Sequence, residues 1–411
     1  MASKQSFVGA LKRLFYWENE QNNETEQKAS ATSSIIAWHT QGQPVWTPRD
    51  YASLAKEGFM QNAIAYRCVR MIAETAASVP LKFLVNSQEL TDHPLIALLN
   101  KPSPTECAAD LFEAWYGYLL VSGNAYLEVV QINDALRELH VLRPDRMKVI
   151  PGSDGWPVAY EYTVGSQSVQ FHQDVENGVP PILHLALFHP TNDHYGLSPI
   201  EAAAIGIDIH NAAGGWNKAL LDNAARPSGA LVYNMRDGNL TQDQFERLKS
   251  ELEQNFQGSK NAGRPLLLEG GLDWKSMSLS PRDMDFIEAK HVAAREIALA
   301  FGVPPMLLGI PGDNTYSNYA EANRSFWRQT ILPLVSRSTK AIANWLAPSF
   351  SEDVDIKPDL EKIEALASER EAVWERVRRS DFLTLNEKRA AVGYGPVENG
   401  DVLLTRVNER S

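Results

Sequence analysis

DFIEAKHVAAREIALAFGVPPMLL, running from Asp285 to Leu308, is the stretch around which the rest of the chain arranges itself. Ser280-Pro281 opens a helix just ahead of it, and Asp283 lies in the first turn, where the helix dipole favours an acid. Phe286, Ala289, Ala293, Ile297 and Ala300 then fall on one apolar stripe. Gly302 and Pro304-Pro305 end the helix. Gly309 and Pro311-Gly312 mark further turns, so residues 304–317 read as a loop. A long helix follows over Asn318 to Leu346, with Trp327, Ile331, Leu334, Val335, Ile342 and Trp345 on one face. Pro333 lies inside it and predicts a kink, because its ring removes one hydrogen bond and clashes with the preceding turn. Residues 359–379 read as a charged helix. Thr384 and Glu387 make a capping box for a last short helix ending near Gly393.

Toward the N-terminus, Ser198-Pro199 starts a second helix that can run to Ala225, roughly 40 Å at about 1.5 Å per residue. Gly214-Gly215 either weakens it or admits a close neighbour. Between these two helices lies a small αβ unit, with strands over Ser228 to Tyr233, Arg264 to Leu268 and Leu272 to Met277 and a helix over Thr241 to Phe256. From Ala125 to Phe188 short β-rich runs alternate with turn residues, which predicts an antiparallel meander. Helices precede it at Asn62 to Val79, His93 to Asn100 and Ala108 to Val121, with a strand over Leu81 to Val85. Residues 18–33 are polar and read as a flexible arm, with order expected from about Trp46 or Tyr51. The fold class is α+β.

The chain has 411 residues, enough for two or three domains, and its 44% hydrophobic content excludes wholesale disorder. Its net charge of -12 argues against a surface that grips nucleic acid through phosphates. Two cysteines, Cys68 and Cys107, cannot build a disulfide framework and point to a reducing compartment. Phe7 to Trp17 is too short and too charged for a signal peptide, and no run is long and apolar enough to span a membrane.

Catalytic and metal motifs are missing. There is no Walker pattern, no G-x-G-x-x-G and no G-x-S-x-G elbow. His184, His189 and His194 are spaced by five, the wrong step for ligands sharing one helical or strand face. Asp283, Asp285 and Glu288 read as first-turn acids and not as a Mg²⁺ site. Arg376, Arg378 and Arg379 share a segment with Glu369, Glu371 and Glu375, which reads as a solvated mixed-charge face.

Several phrases, taken in order, resemble the HK97-type family of tailed-phage portal proteins. They are Ala65-Tyr66-Arg67-Cys68-Val69 through Ser78-Val79-Pro80-Leu81, His93-Pro94-Leu95 to Pro102-Ser103-Pro104, and Gly123-Asn124-Ala125-Tyr126. Gly196-Leu197-Ser198-Pro199, the run Asn223 to Gly229, the opening 24-residue phrase, Tyr316-Ser317-Asn318 and Glu321-Ala322-Asn323 complete the set, over roughly residues 45–400. The resemblance implies a portal-type fold: N-terminal arm 1–44, wing 45–197, stem helix 198–225, clip 226–280, stem helix 281–303, tunnel loop 304–317, kinked wing helix 318–350 and helical C-terminal crown 351–411.

It also implies a homo-oligomeric ring, normally a dodecamer, at one capsid vertex of a virion, assembled in the host cytoplasm. Double-stranded DNA would pass through it, and the large terminase, the major capsid protein and a head-tail adaptor would be its partners. No cofactor, metal or catalytic residue is expected. Leu308, Ile310, Asp313, Asn314, Thr315 and Tyr316 are the expected channel residues, with Ile310 to Tyr316 as the loop tip. Leu307 and Leu308 read equally well as ordinary core. Trp216, Phe286 and Ile297 are the expected stem contacts between subunits. Residues 205–300 hold eleven basic and thirteen acidic side chains, and the loop has no basic residue. That suits passage of a duplex and not its retention. Two rival readings remain: a head-tail adaptor ring without a DNA conduit, and a metal-dependent hydrolase using the His184–His194 region.

Overall fold

Asn62 shows how local chemistry places the first long helix. Its side-chain oxygen accepts from the backbone N–H groups of Ile64 and Ala65, both at 3.0 Å, and so caps α1 (Ala63–Ala77). In the computed structural model the described residues are 50–85, 88–132, 135–173, 178–222, 229–233, 241–243, 246–247, 250, 272–276, 286–311, 316–350 and 354–403. The expected arm, most of the helix 241–256 and the strand 264–268 lie outside them. The chain divides into two units. One contains an antiparallel pair, β9 (Gly229–Tyr233) and β10 (Leu272–Ser276), with Leu231 and Trp274 in register. The other contains every element named below.

The core of this larger unit forms where α1 crosses α3 (Ala108–Ser122). Cys68, Ile72 and Ala76 of α1 and Leu111, Trp115, Tyr116 and Leu119 of α3 are all buried. Fully burying side chains of this size contributes about 1.5–3 kcal/mol each. A short helix, α2 (Pro94–Asn100), is capped by His93 and buries Leu95, Leu98 and Leu99. Upstream of α1, Tyr51–Ser53 is helical and Leu54–Met60 forms a π-helical turn.

Three antiparallel sheets complete the unit. β3 (Asn124–Ile132) lies between β4 (Ala135–Leu142) and β8 (Ile182–Ala186). β5 (Met147–Pro151), β6 (Pro157–Val164) and β7 (Gln167–His172) form a meander. The single expected meander is therefore two three-stranded sheets, because β8 pairs back to β3. The third sheet is a correction to the helical reading of residues 351–411. β11 (Val354–Pro358) returns to pair with β1 (Leu81–Val85), which also pairs with β2 (Gln88–Glu89). Val354 and Ile356 are buried, so this alternating stretch reaches the core as a strand. Just after it, Asp359 accepts from Lys82 at 3.1 Å. The charged helix consequently starts later than expected, as α9 (Ala367–Arg379).

The long C-terminal helix is also interrupted. α7 (Tyr316–Phe326) and α8 (Leu332–Leu346) are joined by a π-helical turn, Trp327–Ile331. Pro333 is the second residue of α8, and lacking an N–H it cannot donate to the carbonyl of Gln329 inside the π turn. The last helix, α10 (Leu385–Ala391), has the expected capping box. Thr384 Oγ1 accepts from Glu387 N at 3.2 Å, and Glu387 Oε2 accepts from Thr384 N at 2.8 Å.

Candidate functional site

The two helices that flank the β9–β10 unit in sequence carry the features that bear on function. The first begins as expected: Ser198 Oγ accepts from Ile200 N at 3.0 Å, and Pro199 occupies the first turn. The helix breaks once at Ala203, giving α4 (Pro199–Ala202) and α5 (Ala204–Asp222). The second is α6 (Phe286–Ala300), closed by Gly302 at φ 67°. Small residues let α5 and α6 lie close. Ala204, Ile207 and Ala213 are buried on one, and Ala293, Ala294, Ile297 and Ala298 on the other. Ile297 is fully buried and belongs to the core of its own chain. This corrects its assignment to a subunit contact: Ile297 and Ala293 of the stripe face inward, while Ala289 is exposed.

The opposite face of α5 is uncovered. Ile205 is 54% exposed and Ile209 39%. Ala212 is also exposed and Trp216 is half-buried. Positions 205, 209, 212 and 216 follow steps of four, three and four, so they share one stripe. On α6, Ile287 (71%) and Leu299 (79%) are more exposed still. Phe286 opens that helix. Together the two helices carry Asp208, Asp222, Glu288 and Glu296 against Lys218, Lys290 and Arg295, so neither presents a basic stripe.

A polar joint fixes α5 to the helices ahead of it. Asn62 Nδ2 donates to Asn211 Oδ1 at 2.9 Å and lies 3.2 Å from His210 Nδ1, while Asn211 Nδ2 donates to the carbonyl of Glu57 at 2.9 Å. Burial, aided by Lys290, holds the His210 pKa below its ordinary value. Two of the quoted phrases meet nearby. Gly196 N donates to Asn124 Oδ1 at 2.8 Å, and Ser198 Oγ donates to Leu120 O at 3.0 Å. Gly123 has φ 77°, and a Cβ there would stand 2.3 Å from the Gly196 carbonyl oxygen. Glycine is required at that crossing by conformation and by space.

The loop after α6 is pinned along its first half. Thr330 Oγ1 donates to Gly302 O at 2.6 Å, and Arg295 donates to Pro311 O at 2.6 Å. Residues 305–308 form a 3₁₀ turn ended by Gly309 at φ 72°. Leu307 and Leu308 are half-buried against the core, and Ile310 is only 6% exposed. The expectation that Ile310 forms an exposed tip is therefore corrected, because its side chain is buried. Asp313, Asn314 and Thr315 lie outside the described residues, and Tyr316 opens α7.

His184 has a structural setting. Its Nε2 donates to Asn124 Oδ1 at 3.0 Å, and its ring stacks on Tyr126 with centroids 4.3 Å apart. Asn124 Oδ1, which also accepts from Gly196 N, can only accept, so the histidine Nε2 carries a proton and donates. Burial, then His194, pushes its pKa down to about 4. Among the described residues no three His, Cys, Asp or Glu side chains are placed to hold a metal. The mixed-charge reading of α9 holds, since Arg378 and Arg379 pair with Glu375, and Glu369 pairs with Arg328.

The order of these elements, two long helices separated in sequence by a β pair and followed by a 3₁₀ turn and further helices, is shared with known proteins. The sequence model of the phage portal protein family matches residues 63–393. An uncharacterized protein of Rickettsia bellii is 44% identical, with 84% of this chain and 90% of that one aligned. The portal protein of Enterobacteria phage HK97 is 27% identical, covering 86% and 83%. Among solved structures, a chain in the neck of an empty gene transfer agent (GTA) particle, computed with C6 symmetry, is 53% identical. It matches with a TM-score of 0.70 over 90% of this chain and all of that one. A chain in the neck of the native GTA particle, computed with C12 symmetry, is also 53% identical, with a TM-score of 0.67 over 87% and 96%. The chain belongs to the phage portal protein family, a structural family of virions and phage-like particles.

Proposed function

We propose that copies of this chain close into a dodecameric ring at a capsid vertex, around a channel for double-stranded DNA during packaging and ejection. The observation that carries this reading is the exposed stripe Ile205–Ile209–Ala212 on α5. A monomeric protein gains nothing from a line of uncovered isoleucines on a helix whose other face is already packed. In a ring each subunit offers its neighbour a different surface, and the rotation closes. The C12 neck of the native GTA particle, with its 53% identical chain, supports that stoichiometry.

The bore acts sterically. The stem helices are near electrical balance, so a duplex finds no row of lysines or arginines to release counterions against. With Leu308 half-buried and Ile310 buried, Asp313, Asn314, Thr315 and Tyr316 are the residues proposed to meet DNA. Residues 226–280 would meet the large terminase and then the tail adaptor, and the wing the major capsid protein. Trp216 and Phe286 remain proposed subunit contacts. The ring performs no catalysis of its own; a separate ATPase drives translocation.

Replacing residues 312–315 with a Gly-Ser linker in a particle-producing strain tests the loop. Particles should assemble at normal yield but contain less nuclease-protected DNA. Normal DNA content would remove the loop from the mechanism.

A further inference from the structure

A polar cavity of about 310 Å³ opens where the wing meets the start of the first stem helix. Tyr51, Tyr126, Tyr195, His189, Asn192 and Glu201 line it. Three of these are incompletely partnered. Tyr126 has no exposed surface as a residue, yet its hydroxyl has no hydrogen-bond partner among the described residues. Leaving such a group unsatisfied costs about 1–3 kcal/mol, so a buried phenol beside a cavity marks a place where something donates or accepts. Tyr195 accepts from Val149 N at 3.0 Å and keeps its own proton and a lone pair free. Glu201 lies in the first turn of α4, and its carboxylate makes no hydrogen bond or ion pair among the described residues; its carbonyl accepts from Ala203 N.

The charge at this site is not cancelled locally. Arg143, near Tyr51, is held by both oxygens of Asp145 at 3.0 and 2.8 Å and is spoken for. Burial, with Asp145 adding repulsion, pushes the Tyr51 pKa up to about 12, so its phenol stays neutral. The walls therefore offer one carboxylate, neutral phenols with their aromatic faces, the His189 imidazole, the amides of Asn124 and Asn192 and the Ser122 hydroxyl. That set does not suit a phosphate or carboxylate ligand, which Glu201 would repel. It does not suit a divalent metal either, since one carboxylate is too few oxygen ligands. A neutral polyol would leave the carboxylate uncompensated. A primary ammonium matches: its three N–H groups reach a carboxylate and phenol oxygens, and its methylenes and charge favour tyrosine rings. The volume admits a four-carbon amine.

We propose that this cavity binds a small alkylammonium ion, with Glu201 as its charge partner and the Tyr126 and Tyr195 hydroxyls as acceptors. Such a group comes either from a free polyamine or from a lysine side chain of a partner protein. Isothermal titration of the full chain at physiological salt tests it, with three probes: putrescine, Nα-acetyl-lysine N-methylamide and the neutral isostere 1,4-butanediol. At least one amine should bind saturably and the diol should not. Tighter binding of putrescine assigns a free polyamine, and tighter binding of the lysine derivative assigns a partner's lysine. Glu201→Gln should weaken binding at least about tenfold, the loss of one charge-assisted contact, with the thermal melt unchanged. Tyr126→Phe, which keeps the ring, should also weaken it. Absence of saturable binding by both amines, equal binding of the diol, or unchanged affinity in Glu201→Gln would overturn the proposal.

Discussion

His184 provides the most quantitative test of the structural account, because the hydrolase reading would give the same residue a metal. The structure makes it a neutral joint between β8, Asn124 and the Gly196 turn. Its pKa is depressed from the ordinary 6.5 to about 4 by burial and then by His194. A histidine depressed on folding contributes stability that is complete above the unfolded pKa and is lost as pH falls toward the folded one. Between pH 7.5 and pH 5 the unfolded ring takes up a proton that the folded ring refuses. Linkage then puts the loss at about 2 kcal/mol, as an upper bound. Glu128, raised by burial, works in the opposite direction, and His210 in the same one, so the raw curve of the wild type is not diagnostic. The difference from His184→Gln is. The glutamine can still donate to Asn124 but cannot titrate. Urea unfolding at the two pH values should show the wild type losing about 1–2 kcal/mol more than the variant. Parallel losses, or a wild type stabilised by added zinc through this residue, would refute the reasoning.

Gly123→Ala should be severely destabilising, by about 3 kcal/mol or more, since it combines a left-handed backbone with a Cβ overlapping a carbonyl; a thermal melt reads it. Ile205→Glu with Ile209→Glu should leave the protomer's melt nearly unchanged, because both side chains are already exposed, yet dissociate assemblies in mass photometry. Ser338→Ala removes the partner of the buried Tyr116 hydroxyl at 2.7 Å and should cost about 1–3 kcal/mol in denaturant unfolding, recovered in part by adding Tyr116→Phe.

What could be read from the residues follows the range of the forces involved. Caps and stops act over three or four residues, so Ser198-Pro199, Thr384–Glu387, Gly123 and Gly302 all stand where local chemistry puts them. Periodicity locates an apolar helix face but is silent on what covers it. Ile297 therefore reads as a neighbour's contact when it is core, while the exposure of Ile205 and Ile209 leaves no mark in the periodicity. Proline and glycine around Ile310 argued for a protruding tip, yet the same turns fold its side chain inward. The pairing of β11 with β1 joins segments far apart in the chain, and no short-range signal announces such a partner. The Asn62–Asn211 joint was equally hidden, although an asparagine that also caps a helix is a recognisable half of it. The portal-type fold was reached through ordered phrases, and the structure supplies a reason for two of them: Gly123-Asn124 and Gly196 hold each other across a backbone contact.

The central claim is closure around an open axis, and an electron-microscopic reconstruction of the purified full-length chain tests it most directly. The account predicts a twelve-fold ring with an unobstructed centre, with Ile205 and Ile209 of each subunit covered by the next. A monomer under all conditions, or a ring in which that stripe faces solvent, would contradict it.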